Sequence, residues 1–144
     1  LKALQLSKEA TIKGAREINN KPPEVIAITV LTSISPQNFK YELNRESSIE
    51  ENVLSLSKLT YDAGLDGCVC SPLEVKSLRD KYDDNFKLIT PGIRFLINDI
   101  NDQSRVMSPV DAISNGASRI VVGRAITKSN NPSKIFSEIC NSII

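Results

Sequence analysis

The sequence lacks histidine altogether, and with it every catalytic arrangement that relays a proton through imidazole. Metal sites suffer from the same absence, because the three cysteines, Cys68, Cys70 and Cys140, are too few to complete a thiolate set. An odd cysteine count without a secretory signal reads as free thiols, and Cys68 and Cys70, two apart in an expected strand, share one face as buried structural residues. Long apolar runs are missing too. The longest, VIAITVL at residues 25–31, is far short of the ~20 residues that a bilayer span needs. Charge of one sign is equally scarce: a formal net charge of +1 gives no electrostatic reason to expect nucleic acid or a membrane as partner, and the expected location is the cytoplasm. The only methionine, Met107, is internal, so the chain as given has no initiator residue and is expected to be part of a longer product.

What remains is ordinary globular material, 144 residues with 40% hydrophobic and 24% charged, enough for one domain with a core. Helix starts are marked by a capping residue followed by proline at Ser71-Pro72, Ser108-Pro109 and Asn131-Pro132, and Ser48 with Glu51 and Ser71 with Glu74 have capping-box spacing. β-type runs lie at residues 25–31, 67–70 (GCVC), 87–89 (KLI) and 119–122 (RIVV). Helices are expected over 7–18, with Ala10, Ala15 and Ile18 inward; over 48–63, with Val53, Leu56, Thr60 and Ala63 on one stripe before the C′ residue Gly64; and over 72–82, 109–115 and 132–143. Short apolar strands alternating with amphipathic helices predict a parallel sheet covered by helices. A closed eight-unit barrel takes about 250 residues. Four such units fit either a small open α/β sheet or half of a barrel.

Both architectures bind ligands beyond the carboxyl ends of the strands. Those positions hold Thr32-Ser33, Ser71, the run Thr90-Pro91-Gly92-Ile93-Arg94, and Gly123-Arg124. Glycine admits an anion to the peptide N–H groups and arginine offers paired planar donors that suit a phosphate. Gly123-Arg124 alone also reads as a turn with a solvated arginine; Arg94 at a second strand exit shifts the balance to phosphate. Gln103, in the long stretch between residues 90 and 106, is a further candidate donor, and a helix beginning near Asn131 offers its positive end. Asp83-Asp84 and the Asp99, Asn101, Asp102 group lack calcium-loop spacing.

The blocks AITVLTS (27–33), AGLDGCVCSPLE (63–74), LITPGIR (88–94), DQSRVMSPVDAISNGAS (102–118) and IVVGRAIT (120–127), in this order and spacing, resemble the orotidine 5′-phosphate decarboxylase family. The resemblance implies a (β/α)8 TIM barrel of which this chain supplies the second half, strands five to eight, as a single partial domain over residues 1–144. It implies that Arg94, Gln103, Gly123 and Arg124 surround the 5′-phosphate of a nucleotide substrate, orotidine 5′-monophosphate, and that Thr32 hydrogen-bonds the pyrimidine. It further implies decarboxylation to uridine 5′-monophosphate without metal or organic cofactor, in a homodimer. The family's catalytic lysine and aspartate array includes a D-x-K element, and no lysine here has aspartate two positions before it. Phe95 also stands where the family pattern has proline. A non-catalytic half-barrel that holds nucleotides or phosphosugars is the alternative. Unpaired edges at the first and last strands lead us to expect self-association of the isolated chain.

Overall fold

The computed structural model describes residues 1–41, 44, 46–94 and 105–144. Its centre is a four-stranded, all-parallel sheet in which β1 (Ile26–Ile28), β2 (Gly67–Val69), β3 (Lys87–Thr90) and β4 (Arg119–Ile120) lie side by side in chain order. Helices α1 (Lys2–Glu17), α2 (Pro36–Tyr41), α3 (Ile49–Asp62), α4 (Val75–Arg79), α5 (Pro109–Ser114), α6 (Arg124–Thr127) and α7 (Pro132–Ser142) accompany it. β1, β2 and β4 are shorter than the apolar runs that announce them, whereas β3 extends one residue beyond its run to Thr90.

Register gives the sheet two unlike faces. Ala27, Cys68 and Leu88 align across three strands, and Ile28, Val69, Ile89 and Arg119 across all four. Alternation sends these rows to opposite sides. Cys68 and Leu88 are fully buried in a core with Val53 of α3, Val75 and Leu78 of α4, and Ala112 of α5. Ile28, in the other row, is 59% exposed. Helices therefore cover one face, and the opposite face presents aliphatic side chains with no described helix over Ile28. The three thiols are free, with Cys68 and Cys70 buried and Cys140 only partly so. A hydrogen bond with Cys68, followed by burial, pushes the Cys70 thiol far above its ordinary range, so it stays protonated.

Local chemistry explains three helix starts and three helix ends. Ser48 and Glu51 form a complete capping box at α3, Ser108 accepts from the Asp111 N–H at α5, and Asn131 accepts from the Lys134 N–H at α7. At the other ends, Gly64 (φ 75°) and Gly116 (φ 103°) take the left-handed conformation, with Leu65 N–H bonded to Thr60 O and Ala117 N–H to Ala112 O. Those are Schellman closures, and Asn19 (φ 51°) builds the same one after α1.

Three expectations are corrected. Ser71-Pro72 does not start a helix: a turn comes first, and α4 begins at Val75 with no side-chain cap. In α3 the buried row is Ile49, Val53, Ser57 and Thr60, whereas Leu56 is 37% exposed. Ser57 and Thr60 tolerate burial because their hydroxyls donate to the Leu54 and Leu56 carbonyls of the preceding turn. In α1, Ala10 and Ile18 face solvent and only Ala15 is buried. That helix is oriented instead by Lys8, which reaches the Asp66 carboxylate.

Candidate functional site

Each strand delivers its polar residues to the same rim because all four run in parallel. At the β1 exit the Thr29 hydroxyl donates to Val69 O (2.7 Å), tying the strand end to its neighbour. The chain then passes through buried Val30 and exposed Leu31 to Thr32, which is buried, and turns back through an Ile34 N–H bond to Leu31 O (3.1 Å).

At the β2 exit, Ser71 and Glu74 are both buried. Their capping-box spacing is used for a turn: the Ser71 N–H donates to Glu74 Oε2 (2.9 Å) and the Leu73 N–H to Ser71 Oγ (3.2 Å). Glu74 is thereby folded inward, with Oε1 left for another partner. Arg105 is that partner, its Nη1 2.5 Å from Glu74 Oε1, while its Nη2 donates to Leu31 O (2.9 Å) and Val30 O (3.4 Å). Both charged side chains are over nine-tenths buried. Sequence reasoning missed this pair. By sequence Glu74 stands as a capping residue and Arg105 as part of the run from Asp102 to Ser118; the available signal is two opposite charges, each on a strand-exit loop.

At the β3 exit, Gly92 adopts φ 81°, a region that favours glycine. It sends the chain to Ile93, which forms an isolated parallel bridge with Met107; Arg94 N–H donates to Met107 O (3.0 Å) and Met107 N–H to Gly92 O (3.2 Å). Both ends of the stretch between them are thus held at the rim. Arg94 is buried, with Nη1 donating to its neighbour's carbonyl, Ile93 O (2.9 Å). Gln103 and Phe95 lie outside the described residues.

The β4 exit holds Gly123 and Arg124. Gly123 caps α6 at φ −107°, and a Cβ built on it would meet nothing within 4 Å. With no described atom near that position, glycine leaves the peptide open to approach. The helix that follows Gly123 directly is the four-residue α6, too short to show a period in the sequence, and it stands between this site and the helix expected near Asn131. Asn131 spends its side chain on its own helix, accepting from Lys134 N–H (3.1 Å).

Of the five residues singled out by sequence, four therefore belong to the carboxyl rim. Arg94 and Gly123-Arg124 leave adjacent strands, where Thr90 pairs with Ile120, and Thr32 leaves β1, across the β2 exit from them. Among the described residues, no group of three or more potential metal ligands occurs, and no helix is long and apolar enough to cross a membrane.

Four parallel strand-helix units with their polar residues gathered at the carboxyl ends have the architecture of a segment of a (β/α)8 barrel. The Orotidine 5′-phosphate decarboxylase / HUMPS family matches residues 2–139, and the chain belongs to that family. It is 58% identical over 142 residues to an orotidine 5′-phosphate decarboxylase of Prochlorococcus marinus subsp. pastoris, covering 99% of this chain and 59% of that protein. The crystal structure of the Lactobacillus acidophilus orotidine 5′-phosphate decarboxylase superposes with a TM-score of 0.80 at 36% identity, covering 97% of this chain and 57% of that one. The Pyrococcus horikoshii enzyme, at 20% identity and a TM-score of 0.62, supports the fold alone. The chain spans about three fifths of the length of the curated relatives it matches.

Proposed function

We propose that this chain is the phosphate- and pyrimidine-binding portion of an orotidine 5′-phosphate decarboxylase, which converts orotidine 5′-monophosphate to uridine 5′-monophosphate and CO2 in pyrimidine biosynthesis. The observation that carries the reading is the exit of Arg94 and Gly123-Arg124 from adjacent parallel strands at one rim. Two guanidinium groups and an uncovered peptide suit a phosphate dianion. Thr32, on the β1 exit, supplies a hydroxyl for the pyrimidine, and Gln103 an amide for the phosphate. The substrate phosphate is remote from the bond that breaks. Its binding energy positions the base and raises the rate of the chemical step as well as the affinity. Loss of CO2 leaves a carbanion at C6, and the aspartate and lysine that manage that charge and proton belong to the D-x-K element, which is not in this sequence. The same reading has the complete enzyme working as a cytoplasmic homodimer with neither metal nor organic cofactor.

Calorimetry with uridine 5′-monophosphate and with uridine tests the reading. Binding of the nucleotide at least about tenfold tighter than the nucleoside, lost in Arg124→Ala, supports it; equal affinities overturn it. Decarboxylation should then arise when the chain is combined with the amino-terminal segment of the Prochlorococcus relative, and not from the chain alone.

A further inference from the structure

Glu74 and Arg105 are charged, buried and absent from the roles assigned above. A buried ion pair gains little stability over apolar side chains of the same volume. Its particular contribution here is geometric. Arg105 presents a rigid fork, one arm on Glu74 Oε1 at 2.5 Å and the other on Leu31 O at 2.9 Å, so a single guanidinium joins the β1 exit to the β2 exit. Glu74 is aimed by the Ser71 N–H at its second oxygen. Arg105 stands two residues before Met107, whose bridge to Ile93 pins it to the β3 exit. Three rim loops therefore meet at one ion pair, and the residue following the Leu31 carbonyl is Thr32.

We propose that Arg105 and Glu74 are positioning residues that hold the Thr32 turn at the height of the base, so that the pair governs recognition of the pyrimidine and leaves the phosphate grip of Arg94 and Arg124 untouched. This rests on the reading of Thr32 as the pyrimidine contact. Neither residue touches the substrate; Glu74 orients Arg105, which acts through the Val30 and Leu31 carbonyls. An arginine is needed because lysine, a point donor on a flexible stem, does not bridge a carboxylate and a carbonyl in one plane.

The test compares wild type with the double variant Glu74→Gln/Arg105→Met and with Arg105→Lys. Glutamine still accepts from the Ser71 N–H and methionine fills the volume, so the double variant avoids a stranded charge; circular dichroism checks that it folds, and Arg105→Lys serves if it does not. The ligands are uridine 5′-monophosphate and ribose 5-phosphate, titrated calorimetrically. The expected result is a loss of about tenfold or more in affinity for the nucleotide with ribose 5-phosphate within about twofold of wild type. A parallel fall for both ligands, or no change for either, overturns the proposal. Amide exchange at Ile34, whose N–H donates to Leu31 O, is read without ligand and should accelerate by about tenfold or more when Arg105 is changed. If wild type binds neither ligand, the nucleotide reading fails by itself, and unchanged exchange at Ile34 then overturns the positioning role independently.

Discussion

Two arginines, one at each end of the sheet, do opposite jobs. Arg79, at the amino end, donates to the carbonyls of Gly116 (3.1 Å), Tyr82 (3.2 Å), Phe86 (3.2 Å) and Asp83, and to Ser118 Oγ (3.0 Å). Its partners are the two turns that feed β3 and β4, and the one carboxylate paired with it among the described residues, Asp84 at 3.6 Å, is 99% exposed. Arg105, at the carboxyl end, is paired with a buried carboxylate and spans loops that the sequence separates by more than seventy residues. Arg79 completes hydrogen bonds of turns that already know where to go. Arg105 decides where loops lie relative to one another. The difference matches the division of labour in (β/α) barrels, stability below and chemistry above.

The comparison is sharpened most by removing charge at the upper end. Arg105→Met alone leaves Glu74 buried and unpaired and is expected to destabilise the chain by about 3–5 kcal/mol, while Glu74→Gln/Arg105→Met recovers most of that loss in urea unfolding. At the lower end the sharpest insult is steric. A Cβ at Gly67 would sit 2.1 Å from the Lys87 carbonyl oxygen, so Gly67→Ala should cost about 3 kcal/mol and loosen the β2–β3 pairing, seen as faster amide exchange at Lys87. Next comes Asp66, whose Oδ2 takes the Val25 N–H (2.6 Å) and Lys8 Nζ. Burial works to raise its pKa, but these hydrogen bonds hold it below the ordinary 3.8. A depressed carboxylate contributes when ionised. The advantage of wild type over Asp66→Asn, about 1–2 kcal/mol, should therefore be full near neutral pH and vanish as pH falls below about 4 through the folded-state value. The smallest effect is expected from the exposed Glu24–Arg119 pair, where Glu24→Gln should leave the urea midpoint essentially unchanged at moderate salt. Light scattering on the isolated chain addresses the sheet edges: among the described residues β1 and β4 each pair on one side only, so association that rises with concentration is expected.

Sequence gave away those features that local chemistry dictates. Ser108-Pro109, Asn131-Pro132 and Ser48 with Glu51 announce helix starts because a capping side chain needs only its own next turn. The parallel sheet followed from four apolar runs between helices, and the rim residues followed from where those runs stop. What escaped depends on distant partners. Glu74 and Arg105 are 31 residues apart, and no spacing rule joins them. Leu56 outranks Ser57 on any hydropathy scale, yet back-bonding lets the hydroxyl into the core and leaves the leucine at its edge. Four residues of α6 are too few to show a period.

The bridge between Ile93 and Met107 carries one more consequence. Because Gly92 O and Arg94 N–H are both bonded to Met107, the β3 exit and the approach to α5 are clasped by backbone alone. Side-chain substitutions at Ile93 or Met107 can therefore alter packing at the rim while the clasp itself persists and the four strands beneath keep their register.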